Sequence, residues 1–175
     1  MLVLRPTNLH WMNVDAPDPA DLCVHSPVEF QIGRARLVEP DAGDWTVSAA
    51  ALYLLRTLSR PHVKSSRLGD HLFPCCGFTM YDIAGEDDVL ILGCSNGIDL
   101  EVTRHDDKIV VTAGDGTQHQ VSFVEWKSAV RAFSQTVRAF YDLSPRRQPA
   151  DAEAEKGFRK LMTEWDRRFI ASARG

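Results

Sequence analysis

The sequence has no apolar run long enough to cross a bilayer. Its most hydrophobic window, residues 47–58, has the length of a helix in a protein core. The first residues also lack the basic segment and the apolar stretch of about 7 to 15 residues that together form a signal peptide. We therefore expect a cytoplasmic protein that makes no membrane contact.

Motifs that would fix a reaction are also missing. The chain has four cysteines in 175 residues, and none of them forms a Cys-x-x-Cys pair. Without an export signal, these cysteines are expected to be reduced thiols rather than disulfides. Gly114 and Gly116 lie in an expected hairpin turn, not between a strand and a helix, so they do not predict a phosphate-binding loop. The acids at 86–88 do not match the spacing of an EF-hand.

Charge is distributed unevenly, although the net charge is only −4. Residues 82–107 carry eight acids and a single arginine, a net charge of −7, whereas residues 126–175 carry eleven basic and six acidic residues, a net charge of +5. An acidic surface attracts a basic partner and speeds association. Alternatively, it serves only to keep strands and turns soluble. Because acids dilute the basic C-terminal helices, nucleic acid is an unlikely partner.

The apolar spacing predicts a single α+β domain covering residues 1–175. Residues 28–39 alternate as a strand and change phase at Gly33, residues 47–58 have helical spacing on one face, and residues 89–123 form an antiparallel meander. Residues 1–27 contain four prolines and are interpreted as an irregular surface wrap or an edge strand.

Two amphipathic helices end the chain. Ser122 and Glu125 match a capping box, and the helix that follows ends near residue 144. A proline-bounded linker, 145–150, leads to a last helix that begins near Asp151. We expect these helices to pack antiparallel, on or beside the antiparallel sheet.

Residues 70–97 hold the side chains most capable of chemistry. One hypothesis is a metal-binding or cysteine-dependent enzyme that uses His71, Cys75, Cys76 and Cys94. Adjacent cysteines in extended chain point to opposite faces, and no Cys-protease signature surrounds them. The favoured interpretation is that these thiols and Cys23 are small buried side chains, with no metal or cofactor.

Five segments together suggest a family. Residues 45–58, 72–78, 93–99, 130–141 and 164–168 resemble small bacterial proteins of the immunity type, which are encoded beside secreted toxins and neutralise them by binding. The resemblance covers about residues 28–170. It implies a cytoplasmic, non-enzymatic protein whose partner is a protein, such as a basic toxin domain.

The leading hypothesis is therefore a binding protein that uses an acidic surface. A homodimer through the two C-terminal helices is a further hypothesis, because those helices carry many aromatic residues. The expected partner-binding residues are Tyr81, Asp82, Glu86, Asp87, Asp88, Asp99 and Glu101.

Overall fold

The computed structural model describes residues 1–13, 15, 18–63, 70–75 and 79–174. The described residues form three helices: α1 (Val47–Thr57), α2 (Phe123–Leu143) and α3 (Ala152–Ala171). They also form twelve strands: β1 (Leu2–Pro6), β2 (His25–Ser26), β3 (Val28–Ile32), β4 (Ala35–Val38), β5 (Trp45–Thr46), β6 (Phe73–Pro74), β7 (Thr79–Tyr81), β8 (Leu90–Leu92), β9 (Gly97–Ile98), β10 (Glu101–His105), β11 (Lys108–Thr112) and β12 (Gln118–Ser122).

The first sheet has the strand order β1-β3-β4 and is antiparallel. Val28, Phe30 and Ile32 point into the core because side chains alternate along β3, as the sequence predicted. Gly33 turns the chain into β4 with φ at 63°, a conformation that glycine adopts without steric cost. Strand β1 lies at the edge of this sheet, so the edge-strand interpretation of residues 1–27 applies to it.

The second sheet is the antiparallel meander β10-β11-β12. Asp106 adopts a left-handed conformation, φ 54°, in the two-residue turn between β10 and β11. The predicted meander over 89–123 is correct for these three strands and wrong for the residues before them. The earlier strands belong to two other sheets: β8 pairs with β7, and β9 pairs with β6.

Helix α1 lies at the centre of the molecule, between the strands, α2 and α3. Residues 47–55 are all buried, so α1 is buried on all sides and not only on the one apolar face that was expected. The reason is that other strands and helices pack around it on every side. Thr46 is its N-cap residue, yet its hydroxyl bonds His25 and the carbonyl of Cys75 instead of the helix.

The C-terminal helices begin and pack as predicted. The Glu125 amide donates to the Ser122 hydroxyl at 3.2 Å, and the Ala154 amide donates to Asp151 at 2.8 Å. Arg131 of α2 donates to the Phe169 carbonyl of α3 at 2.7 Å, whereas Tyr141, further along α2, stacks near Phe158, earlier in α3. The two helices are therefore antiparallel.

The aromatic residues of these helices mostly build the core of this chain. Trp126, Phe133 and Trp165 are buried, and Trp126 packs 5.9 Å from Phe30 of β3. The α+β class, with antiparallel sheets and three helices placed as expected, is confirmed. Within the described ranges, none of the helices combines the length and the apolar character needed to cross a membrane.

Candidate functional site

The hairpin of β7 and β8 carries five of the seven predicted contact residues on its strands and connecting loop. Met80 pairs with Ile91, and both are buried against the core. Thr79 and Tyr81 alternate with Met80, so they point to the opposite, outward face together with their cross-strand neighbours on β8. One face of the hairpin thus packs on the core, and the other faces solvent.

Helix α3 packs directly on this hairpin through Gly157. A Cβ atom at Gly157 would lie 1.9 Å from the carbonyl oxygen of Met80 and 2.5 Å from its carbonyl carbon. Glycine is required here because the two backbones are in contact. The outward face of the hairpin is therefore presented on a rigid support.

The outward surface combines apolar and acidic side chains. Tyr81, Ile83 and Leu92 are 39%, 42% and 36% exposed, so the hairpin and its loop leave three large apolar side chains in contact with solvent. Glu86 and Asp87 are exposed in the loop between the strands. We call residues 79–92 the hairpin surface.

Asp88 differs from its neighbours because three arginines already hold its carboxylate. Arg168 donates to both oxygens at 2.8 and 2.9 Å, Arg167 to one at 2.8 Å, and Arg60 lies 2.8 Å from the other. Its side chain is 23% exposed. Asp88 thus joins the hairpin loop to α3 and to the end of α1.

Glu164 extends this network into the core. Its fully buried carboxylate accepts two bonds from Arg56 at 2.8 and 2.7 Å, one from Arg168 at 2.6 Å and one from the Val89 amide at 2.8 Å. A buried carboxylate persists only when its charge and lone pairs are satisfied, and here both are. Glu164 fixes the start of β8 to α1 and α3.

The pKa values follow these contacts. Burial by itself would raise the pKa of Asp88, but the hydrogen bonds and charge of Arg168, together with Arg60, hold it well below its usual range. Burial opposes the charge of Arg56, yet its bonds to Glu164 raise the pKa of the guanidinium. Asp88 and Arg56 therefore stay ionised across the physiological pH range.

The remaining predicted acids fall into two groups. Asp82 lies 3.1 Å from Lys160 of α3 and is partly neutralised. Asp99 and Glu101 are half-buried at the start of β10, in a different sheet from the hairpin. The structure therefore places the residues at 81–88 on the hairpin, and Asp99 and Glu101 at or next to the start of the meander.

Three of the four residues considered for catalysis lie near the β6–β9 pair: His71, Cys75 and Cys94. The Cys75 amide donates to the Asn96 carbonyl at 3.0 Å, and Gly97 sits against the His71 ring. Across the described ranges, which exclude Cys76, no three His, Cys, Asp or Glu side chains are placed to hold a metal.

Burial of the thiols was predicted correctly for only one of the three described cysteines. Cys23 is buried, and burial raises the pKa of its thiol far above the usual value, which makes it a poor nucleophile. Cys75 and Cys94 are half-buried: Cys75 directly follows β6, and Cys94 lies in the loop between β8 and β9. Cys76 lies outside the described residues.

Two clefts border the hairpin surface. The first, about 560 Å³, lies at the end of α1 and is lined by residues of both charge signs, including Arg60, His62 and Asp88. The second, about 820 Å³, lies between the hairpin, the N-terminal segment and the start of α3. Tyr81 belongs to both the second cleft and the hairpin surface.

Comparisons with protein-family models, with curated proteins and with solved structures found no match. The resemblance to immunity-type proteins consequently stays a prediction.

The residues of the site that were not predicted from the sequence are those of the ion network and two exposed apolar residues of the hairpin: Arg56, Arg60, Arg167, Arg168, Glu164, Ile83 and Leu92. Glu164 follows Leu161 by three residues and precedes Trp165, so it lies on the buried stripe of α3. A charged residue at a core position, with an arginine four residues later, was the signal that could have identified it.

Proposed function

We propose that this chain is a non-enzymatic protein-binding protein, and that it neutralises a basic bacterial toxin domain as an immunity protein does. The observation that carries the proposal is the hairpin surface, where Tyr81, Ile83 and Leu92 are exposed beside acidic residues. The partner would be cytoplasmic, like the chain itself.

The composition of this surface is that of a protein interface. Interfaces have an apolar centre, in which tyrosine is common, and a polar rim that excludes water. Here Tyr81 and Leu92 would form the centre, and Glu86 and Asp87 the rim. An acidic rim favours a basic partner and increases the association rate.

Asp88 has a supporting role in this proposal. Its carboxylate is engaged by Arg60, Arg167 and Arg168, so it is not available to a partner without breaking those bonds. It holds the loop in which Glu86 and Asp87 are presented. Binding to a preordered loop avoids the entropy cost of ordering it.

Co-purification with the product of the neighbouring gene, combined with rescue of growth from that product, tests the proposal. We expect the wild-type chain to form a complex and to restore growth. The double variant Tyr81→Ala/Leu92→Ser should lose affinity by about 2 kcal/mol or more, because it removes the apolar centre.

Val124→Ser is the matched control, because Val124 is an exposed apolar residue on α2, outside the hairpin surface. It should bind and rescue like the wild type. If no product of an adjacent gene binds the chain or is neutralised by it, the proposed function is wrong. If the control and the hairpin variant behave alike, the hairpin surface is not the contact site.

A further inference from the structure

The strand pairs β6–β9 and β7–β8 share one register. In the first pair Phe73 lies opposite Ile98, and in the second Thr79 lies opposite Leu92. The numbers of paired residues have the same sum in both, so the two pairs are successive parts of one antiparallel ladder. Residues 73–98 therefore form one long hairpin, and the hairpin surface lies at its tip.

Cys75 and Cys94 lie at the base of the hairpin surface, one on each side. Cys75 precedes β7 by four residues, and Cys94 follows β8 by two. The whole hairpin surface thus lies between them in the sequence. Both thiols are half-buried and can be reached by a small reagent, whereas Cys23 is buried.

One carbonyl group brings the two cysteines together. The Cys75 amide donates to the Asn96 carbonyl oxygen at 3.0 Å, as the shared register predicts, and the Cys94 thiol donates to the same oxygen at 3.5 Å. The Cys94 sulfur therefore lies within two hydrogen-bond lengths of the Cys75 nitrogen. In sequence Cys94 is two residues from Asn96, which makes it the diagonal cross-strand neighbour of Cys75.

The two backbones differ in how firmly they are held. The Cys75 carbonyl also accepts from the Thr46 hydroxyl at 3.2 Å, so both backbone groups of Cys75 are bonded. Cys94 lies outside the strands, in the loop between β8 and β9. A disulfide requires the two Cβ atoms to lie about 3.5–4.5 Å apart. Movement of the Cys94 loop can supply this approach without disturbing β6.

We propose that Cys75 and Cys94 form a reversible disulfide across the base of the hairpin, by exchange with a small disulfide of the glutathione type. One cysteine thiolate attacks the small disulfide, which gives a mixed disulfide and releases one small thiol. The other cysteine thiolate then attacks the protein sulfur of the mixed disulfide and releases the second small thiol. Two protein thiols are oxidised, the small disulfide is reduced to two thiols, and these carry both protons.

This disulfide would hold the hairpin surface at its base. The ion pairs of Asp88 with Arg60, Arg167 and Arg168 already hold it at its loop. A crosslink removes open conformations of the segment that it encloses. Any effect of the disulfide on partner binding rests on the proposed function, whereas its formation does not.

Equilibration of the full chain with mixtures of oxidised and reduced glutathione tests the inference. After quenching with acid, the chain is cleaved before aspartate without reductant. Aspartates at 82, 87 and 88 separate the two cysteines, so only a disulfide keeps the fragments together. We expect linked fragments that separate on reduction. In concentrated urea the equilibrium constant for this disulfide should fall by about tenfold or more, because the fold no longer holds the two thiols together.

Serine variants identify the cysteines that form the disulfide. Cys75→Ser and Cys94→Ser should each abolish the linked fragments. Cys76→Ser, at the adjacent position in the sequence, and Cys23→Ser are the matched controls and should retain them. Hydrogen exchange of the amides of residues 79–92 should be slower in the oxidised chain than in the reduced chain.

Linked fragments from Cys75→Ser would assign the disulfide to another cysteine and overturn the inference. Glutathione adducts without linked fragments would also overturn it, as would an equilibrium constant that is unchanged in urea. Equal amide exchange in the two redox states would reject the ordering of the hairpin by the disulfide. A disulfide in a chain that neutralises no toxin would retain the inference and reject the proposed function, and neutralisation by a chain that forms no disulfide would do the reverse.

Discussion

Replacing Glu164 by glutamine tests whether the buried ion network holds the hairpin to the core. The substitution keeps the shape of the side chain and one carbonyl oxygen, but it removes the negative charge shared by Arg56 and Arg168. It also places an amide donor at one of the two oxygen positions, where either both guanidinium groups or Arg56 and the Val89 amide donate. Two arginines are left partly unpaired in a buried site.

The expected loss of stability is large for a single substitution. Breaking a buried ion pair by removing one partner costs about 3–5 kcal/mol, out of a total of about 5–15 kcal/mol for a typical domain. For a chain of this size, each kcal/mol lowers the melting temperature by about 2–4 °C. We therefore expect Glu164→Gln to melt about 6–20 °C below the wild type.

Urea unfolding and calorimetry measure this effect, with Asp166→Asn as the control on the same helix. Asp166 pairs with Arg138 at 2.7 Å, but its side chain is exposed, so its loss should cost less than about 1 kcal/mol. In the double variant Arg56→Met/Glu164→Gln, the two losses should not add, because the residues share one interaction. If Glu164→Gln is no more destabilising than Asp166→Asn, the reasoning is refuted.

Three further predictions concern the buried histidines, the helix contact at Gly157 and the metal content of the protein. Burial lowers the pKa of His25 and of His62; since the unfolded chain then binds protons that the folded chain does not, stability should fall as pH drops through about 6.5. A urea midpoint that is unchanged or higher at pH 5.5 than at pH 7.5 would contradict this. Gly157→Ala should lose about 1–3 kcal/mol in urea unfolding, although alanine normally favours a helix, because its Cβ would overlap the Met80 carbonyl; a gain in stability would show that α3 does not touch β7. Protein purified without added zinc should contain far less than one equivalent of metal by elemental analysis, and Cys94→Ala should cost about 1 kcal/mol or less; stoichiometric zinc would favour the metal-binding alternative.

Helix ends and long amphipathic stripes were predictable from the sequence. Ser122 with Glu125, and Asp151, are local signals, because a cap depends only on residues within one turn. The stripe of α2 that runs from Trp126 to Phe140 repeats over about four turns, so its period is unambiguous.

Short strands were not predictable in the same way. β6 and β9 have two residues each, too few to show a period of two, and their pairing joins segments more than twenty residues apart. A meander was predicted across residues 89–123, but the pairing of β8 with β7 depends on packing against α3, which no local pattern encodes.

The net charges of the acidic and basic segments were counted correctly from the sequence, but the contacts between the two segments were not predicted. The acidic segment around Asp88 and the basic helix α3 were both evident, but they were treated as separate surfaces. The fold places Arg167 and Arg168 on Asp88, and Lys160 beside Asp82, so these two carboxylates are largely neutralised, whereas Glu86 and Asp87 stay exposed in the loop. The cleft between the hairpin, the N-terminal segment and the start of α3 could be found only in three dimensions.

Hydrogen exchange on the complex with a neutralised toxin domain tests whether the partner binds the hairpin surface, because it reports which amides the partner covers. We expect residues 79–92 to become protected on binding, while the exposed turns of the β10–β12 meander exchange as in the free chain. Protection confined to the meander, with the hairpin exchanging as before, would contradict it.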